Sequence, residues 1–217
     1  MLLVPKQLKI KFFFKKLINL FFIIIIISLH SLSKADDIRE FEIEGMSIGD
    51  SLLDYFEKDI ILNATTTKYP ASSKYFDIHI NVETSENYDQ ISALVKSNDK
   101  IFKIQSIAGD KYFFINKGKN IDEEHLSCLK QKQKITDEFS KILTNVTKNE
   151  YIHTYSSIDD GKSISDVVDF DFEDGSAIRI YCNKFTINSI KKRNFFNGLS
   201  VSITPSVIID WLDNEAY

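Results

Sequence analysis

Ser51 is the residue whose type and setting most suggest covalent chemistry, because it lies in the run Gly49-Asp50-Ser51-Leu52. A serine hydroxyl at its ordinary pKa is a weak nucleophile and becomes useful only beside a positioned base. The bases on offer are His79, His125 and His153, since His30 belongs to an apolar leader. His79 alternates with the apolar residues of a strand, so it points to the polar side with Asp77 and Asn81. His125 falls on a charged helix surface and His153 in an irregular polar stretch. No two share the spacing of metal ligands on one helix, and surface or satisfied histidines are the expectation. The residues therefore assign no catalytic group, no metal ligand and no cofactor.

Asp169 to Gly175 alternates acids with Phe170 and Phe172 and looks like the start of a calcium loop. Such a loop needs glycine at its sixth position and glutamate at its twelfth, and Asp174 and Ile180 stand there. A strand running into a turn is the better reading. Cys128 and Cys182 are the two cysteines of the chain. In an exported protein they are most simply one disulfide, here tying a helix to a strand.

Three resemblances follow from these motifs. Gly49 to Leu52 resembles the signature of the GDSL esterases and lipases, in which the motif serine is the nucleophile. That resemblance implies a small serine hydrolase using Ser51. The family also carries Asp-x-x-His near its C-terminus, whereas the tail Asp210-Trp211-Leu212-Asp213 holds no histidine. The stretch from Phe41 to Phe56, with the segment Asn120 to Cys128 and the ending Asn214-Glu215-Ala216-Tyr217, is similar to a family of exported proteins. These come from AT-rich marine alphaproteobacteria of the SAR11 type. That similarity implies a periplasmic location and carries no activity or site residues. Gly45-Met46 before a short helix resembles the opening of small periplasmic domains of outer-membrane-assembly lipoproteins, which implies protein binding.

The elements that would position these residues follow a leader. Lys6, Lys9, Lys11, Lys15 and Lys16 precede an apolar run from Leu17 to Leu29, and Ser33-Lys34-Ala35 offers small residues before Asp36. This is the layout of a secretory signal peptide cleaved after Ala35. A retained anchor is the alternative, but the run is shorter than the ~20 residues a spanning helix needs. Residues 1–35 are thus read as signal and 36–217 as a single exported α+β domain. Six of the 27 lysines and arginines, and none of the 31 acids, leave with the signal. The resulting acidity disfavours nucleic acid, whose binding requires neutralised phosphates, and no stable membrane span is expected once the signal is cleaved.

Within the domain, Ser47 to Asp50 reads as a capping box before an apolar helix stripe at Leu52, Leu53 and Phe56. A second short helix is read through residues 57–62, and Asn63 to Thr67 as a polar turn. Residues 76–82, 90–96 and 101–108 alternate as strands, with Phe113-Phe114-Ile115 as an extension. Asn120 caps a long helix to about residue 144, with a stripe that includes Leu126, Leu129, Ile135, Phe139 and Ile142. Residues 166–172 and 177–184 form a hairpin, and a strand near 199–203 leads to Thr204-Pro205 and a final helix. The expected fold is antiparallel, with about six strands in two three-stranded groups packed against the long central helix and the C-terminal helix.

On this pattern the expected function is a non-enzymatic periplasmic domain that binds a protein or envelope component. The Ser51 hydrolase and a small-ligand carrier are the alternatives. N-terminal sequencing of the exported protein is expected to begin at Asp36; a chain that still carries residues 1–35 would mean a retained anchor.

Overall fold

The computed structural model describes residues 37–83, 85–113, 120–159, 161–193 and 195–217. The leader lies outside the described residues, as do Phe114 and Ile115. After a 3-10 turn at Ile38–Glu40, a two-stranded ribbon is formed by β1 (Glu42–Ile43) and β2 (Met46–Ser47). A second 3-10 turn (Leu52–Asp54) and helix α1 (Lys58–Asn63) follow. Four strands come next: β3 (Thr65–Lys68), β4 (Tyr75–Asn81), β5 (Gln90–Lys96) and β6 (Ile104–Tyr112). Helix α2 (Ile121–Ile142) leads to β7 (Val146–Thr154), the short α3 (Ser156–Asp159), β8 (Ile164–Phe172) and β9 (Ala177–Lys184). Helix α4 (Ile187–Arg193), β10 (Gly198–Thr204) and helix α5 (Ser206–Asn214) complete the chain.

Strands β3 to β10 make one antiparallel sheet of 8 strands in the order β3-β4-β5-β6-β10-β9-β8-β7. The α+β class and the two helices are as expected. The two groups of three strands are corrected to two meanders of four, fused between β6 and β10. The strands missing from the sequence reading are β3 and β7, and both are edges. Every residue of β3 is exposed, as are all of β7 except Val146. Edge strands without a buried face give no apolar alternation to detect, and Thr65 to Lys68 therefore reads as a polar turn.

Alternate residues put one apolar set on one face: Ile78 and Ile80, Ile91, Ala93 and Val95, Ile107, Val201 and Ile203, Ile178 and Ile180, Val168 and Phe170. The N-terminal segment covers part of this face with Phe41, Ile43, Met46, Leu52 and Ile61, and α2 packs across β9 and β10. Phe41 bridges the two covers, 5.8 Å from Phe139 of α2 and 5.9 Å from Phe172 of β8 between ring centroids.

Three local expectations are corrected. The capping box at Ser47 is only half made, because the backbone N–H of Ser47 donates to Asp50 Oδ2 at 2.9 Å while Ser47 itself ends β2. The cap is Ser51, whose hydroxyl accepts from the Leu53 N–H at 3.2 Å and opens a single 3-10 turn. Along α2 the most buried ridge is Glu124, Cys128, Lys132 and Thr136, at i, i+4 spacing, whereas Leu126 and Ile142 are exposed. Lys132 reaches across to pair with Asp166 on β8, which is how a lysine sits in that ridge. The last helix starts at Ser206, so Pro205 occupies the cap position expected of Thr204.

Cys128 and Cys182 are bonded, with their Cα atoms 6.0 Å apart. The bond joins α2 to β9 across 54 positions of sequence. Closing a loop of this length restricts the unfolded chain, and the Cys128→Ser, Cys182→Ser double variant is expected to lose ~2–4 kcal/mol of stability. Urea unfolding of the oxidised protein and the double variant checks this; coincident curves would show that the crosslink adds nothing.

Candidate functional site

The second face of the sheet is polar. In successive rows it carries Asp77, then His79 opposite Ser92, then Asp110 opposite Ser200 and Ser200 opposite Tyr181. Two apolar groups cover its ends. At one end α5 lays Ile208 and Trp211 against Tyr75 and Leu94, and Trp211 meets the rings of Tyr69 and Tyr75, each 4.8 Å away. At the other end Tyr112 packs on Phe196 at 4.5 Å and Phe185 on Phe195 at 4.6 Å. Beside this second group lies an open cleft of about 520 Å³ that extends to Thr65 and Thr67 of β3, within the size range of small-molecule sites.

A chain of hydrogen bonds crosses the floor of this cleft. His79 is held by Thr67 Oγ1 at its Nε2 (2.8 Å) and by Ser92 Oγ at its Nδ1 (2.9 Å). Ser92 donates to Asp110 Oδ2 at 3.1 Å, and Ser200 donates to Asp110 Oδ1 at 2.6 Å. A hydroxyl has one hydrogen to give. Since Ser92 gives its hydrogen to the Asp110 carboxylate, it accepts from the Nδ1–H of His79. Nε2 is then the acceptor for the Thr67 hydroxyl. At the far end Tyr69 donates to Asp77 Oδ2 at 2.7 Å.

Burial, opposed by these hydroxyl partners and by His79, holds both Asp110 and Asp77 above the ordinary carboxylate range. Asp77 is raised further by the charge of Asp110. Burial pushes the phenols of Tyr112 and Tyr181 up to about 12, so both remain protonated donors at neutral pH. Chemically, the floor offers oriented hydroxyls, an imidazole and two carboxylates.

Thr67 and His79 are placed as a hydroxyl and its base, but Ser92, not an acid, contacts the other ring nitrogen, and Asp110 lies one hydrogen bond further on. Thr67 belongs to the fully exposed edge strand β3, where water screens the charge that develops in an acyl transfer. The network is better suited to holding hydrogen-bonding groups in place.

No protein-family model, curated protein or solved structure matches the chain. The geometry alone therefore bears on function.

The residues singled out from the sequence fall in separate places. The Ser51 hydroxyl donates to the carbonyl of Ile101 at 2.6 Å and caps its own turn. Asp50 beside it accepts from Ser47 and from the Tyr55 hydroxyl at 2.7 Å, which lowers its carboxyl below the usual range, with Tyr55 as the main cause. Both are engaged in holding the N-terminal segment. His125 lies on α2, where burial lowers its pKa. His153 sits on β7, with its ring 4.7 Å from that of Tyr155. Asp169 is gripped by Arg179 and Tyr151, and Asp174 caps Ser176 in the β8–β9 turn. No group of three or more His, Cys, Asp or Glu side chains among the described residues is arranged to hold a metal ion.

His79 alone of these candidates enters the cleft. Ser92, Asp110, Tyr181 and Ser200 were not singled out. Their signal is a polar residue between apolar ones, as in Ile91-Ser92-Ala93 and Leu199-Ser200-Val201. Finding them as one site also requires the pairing of β6 with β10.

A carboxyl with a raised folded pKa binds its proton more tightly in the folded state than in the unfolded one. Between the ordinary carboxylate value and the raised one, stability therefore falls as pH rises. Asp110→Asn removes one such group and is expected to flatten that fall. Urea unfolding from about pH 4 to about pH 7 measures it; the same slope in variant and parent would contradict the assignment.

Proposed function

We propose that this protein is an exported, non-enzymatic binding domain whose ligand site is the polar cleft of the sheet. Of the readings open from the sequence, this is the small-ligand carrier, and the observation that carries it is the cleft itself. Most polar faces of antiparallel sheets are flat and solvated. This one is bounded by the edge strand β3 on one side and by aromatic rings on the other, with its polar groups fixed in a shared network. Preset donors and acceptors lower the ordering cost of binding. The disulfide supports the exported reading, because such bonds persist in oxidising compartments.

A second reading is favoured by β7. Its eight residues from Thr147 to Thr154 are all exposed, with Ile152 60% exposed. A long open strand edge can accept an extended segment of another protein as an added strand. This is the form in which binding to a protein or envelope component fits the fold.

Native mass spectrometry of the protein purified gently from periplasm distinguishes the two. A small bound mass that disappears on denaturation, and is absent from Gln90→Trp at the cleft rim, is the expected result. A bound polypeptide lost in Ile152→Pro would move the site to β7. A bare chain under all conditions would count against both.

A further inference from the structure

Two carboxylates of this fold, buried Asp169 and half-buried Asp166, show how it treats an acid withdrawn from water. Asp169 has Arg179 as a bidentate partner at 2.7 and 3.0 Å, and Asp166 has Lys132. Each cation is supplied from the neighbouring strand or helix. Asp77 and Asp110 have no such partner among the described residues. The side-chain donors to Asp110, which is only 6% exposed, are the hydroxyls of Ser92 and Ser200; the donor to Asp77 is the hydroxyl of Tyr69. Among the described residues, no lysine or arginine lines the cleft that both acids face. His79 stands between them with both ring nitrogens occupied by Thr67 and Ser92.

We propose that the cleft is selective for a small organic cation, an aliphatic amine whose ammonium takes the place of the missing counter-ion. This rests on the cleft being the ligand site. A carboxylate oxygen can accept more than one hydrogen bond, so Asp77 and Asp110 retain acceptor capacity after binding their hydroxyls. An ammonium brings three donors and a full charge into a site where its hydrogen bonds are charge-assisted. An anion would meet two like charges on the floor. A neutral alcohol would satisfy oxygens without balancing charge. The rings of Tyr112, Phe195 and Phe196 at the wall suit the aliphatic body and the face of a cation. The upward shift of both acids agrees with a site that lacks its positive charge when empty. Two acids on either side of His79 match a diamine better than a single amine.

Isothermal titration of the oxidised protein with 1,4-diaminobutane, n-butylamine, 1,4-butanediol and succinate tests this. The diamine is expected to bind one per chain, more tightly than butylamine, with the diol and succinate weaker still. Asp110→Asn is expected to weaken the diamine by about tenfold or more. Gln90→Trp, opposite Asp110 across the β5–β6 pair, keeps both carboxylates, is expected to block the cleft sterically and guards against misfolding of the Asn variant. Asp171→Asn, outside the cleft, is expected to leave binding unchanged. Diol binding equal to that of the diamine, or equal affinity in folded Asp110→Asn, would overturn the cation while leaving the cleft as a ligand site. Failure of all four probes also overturns it. If native mass spectrometry then still finds a Gln90→Trp-sensitive ligand, the cleft reading survives without the amine; if it finds none, both fall.

Discussion

A strand cannot present the same chemistry to both sides of a sheet unless every residue is of one kind, and here the alternation divides the molecule. The apolar set commits one face to being covered, and the N-terminal segment and α2 are the covers. The other face contains carboxylates, hydroxyls and amides that cannot be buried without partners. It satisfies them from within the sheet, through side chains on adjacent strands. Because that face does not require a full apolar layer, α5 and the aromatic cluster can stop short of one another. The cleft lies between the aromatic cluster and the edge strand β3.

How much of this was legible in the sequence follows from the same division. The strands with an apolar face, from Phe76 to Val82 and from Val167 to Cys182, stand out because their periodicity is two. The long helix stands out because Asn120 and Glu123 make a capping box. His79 was assigned to the polar side correctly, since its neighbours Ile78 and Ile80 fix its direction. The edges β3 and β7 were not legible, because neither has a buried face to impose a pattern. The site was legible only in pieces. Asp110 and Ser200 are 90 positions apart, and nothing local to either reveals that their strands pair.

Helix α2 shows why a hydrophobic stripe is an incomplete guide to a buried face. Its inner ridge includes Lys132 and Thr136 among the least exposed residues, while Leu126 faces out. The explanation lies across the interface. Asp166 on β8 supplies the charge that allows a lysine there, and Cys128, one turn earlier, is bonded to β9. A buried ion pair adds little net stability compared with an apolar pair, but breaking it leaves an uncompensated charge. Together, pair and disulfide fix the position of the helix along the sheet, which loose apolar contacts do not.

The fusion of the two meanders has a consequence for how the molecule comes into being. Strands β3 to β6 pair with near neighbours in sequence and can assemble as soon as they emerge. Strand β6 pairs on its other side with β10, the last strand to be made. Gly198 lies so close to the Lys111 carbonyl in that pairing that any side chain would collide with the backbone. Until β10 arrives, the half-built sheet presents an open edge beside an uncovered apolar face, the combination most prone to wrong pairing with other chains. Contacts this distant in sequence form slowly. An exported chain, as proposed above, would expose that edge throughout its passage, so its period of greatest need for a chaperone ends only when β10 itself is free.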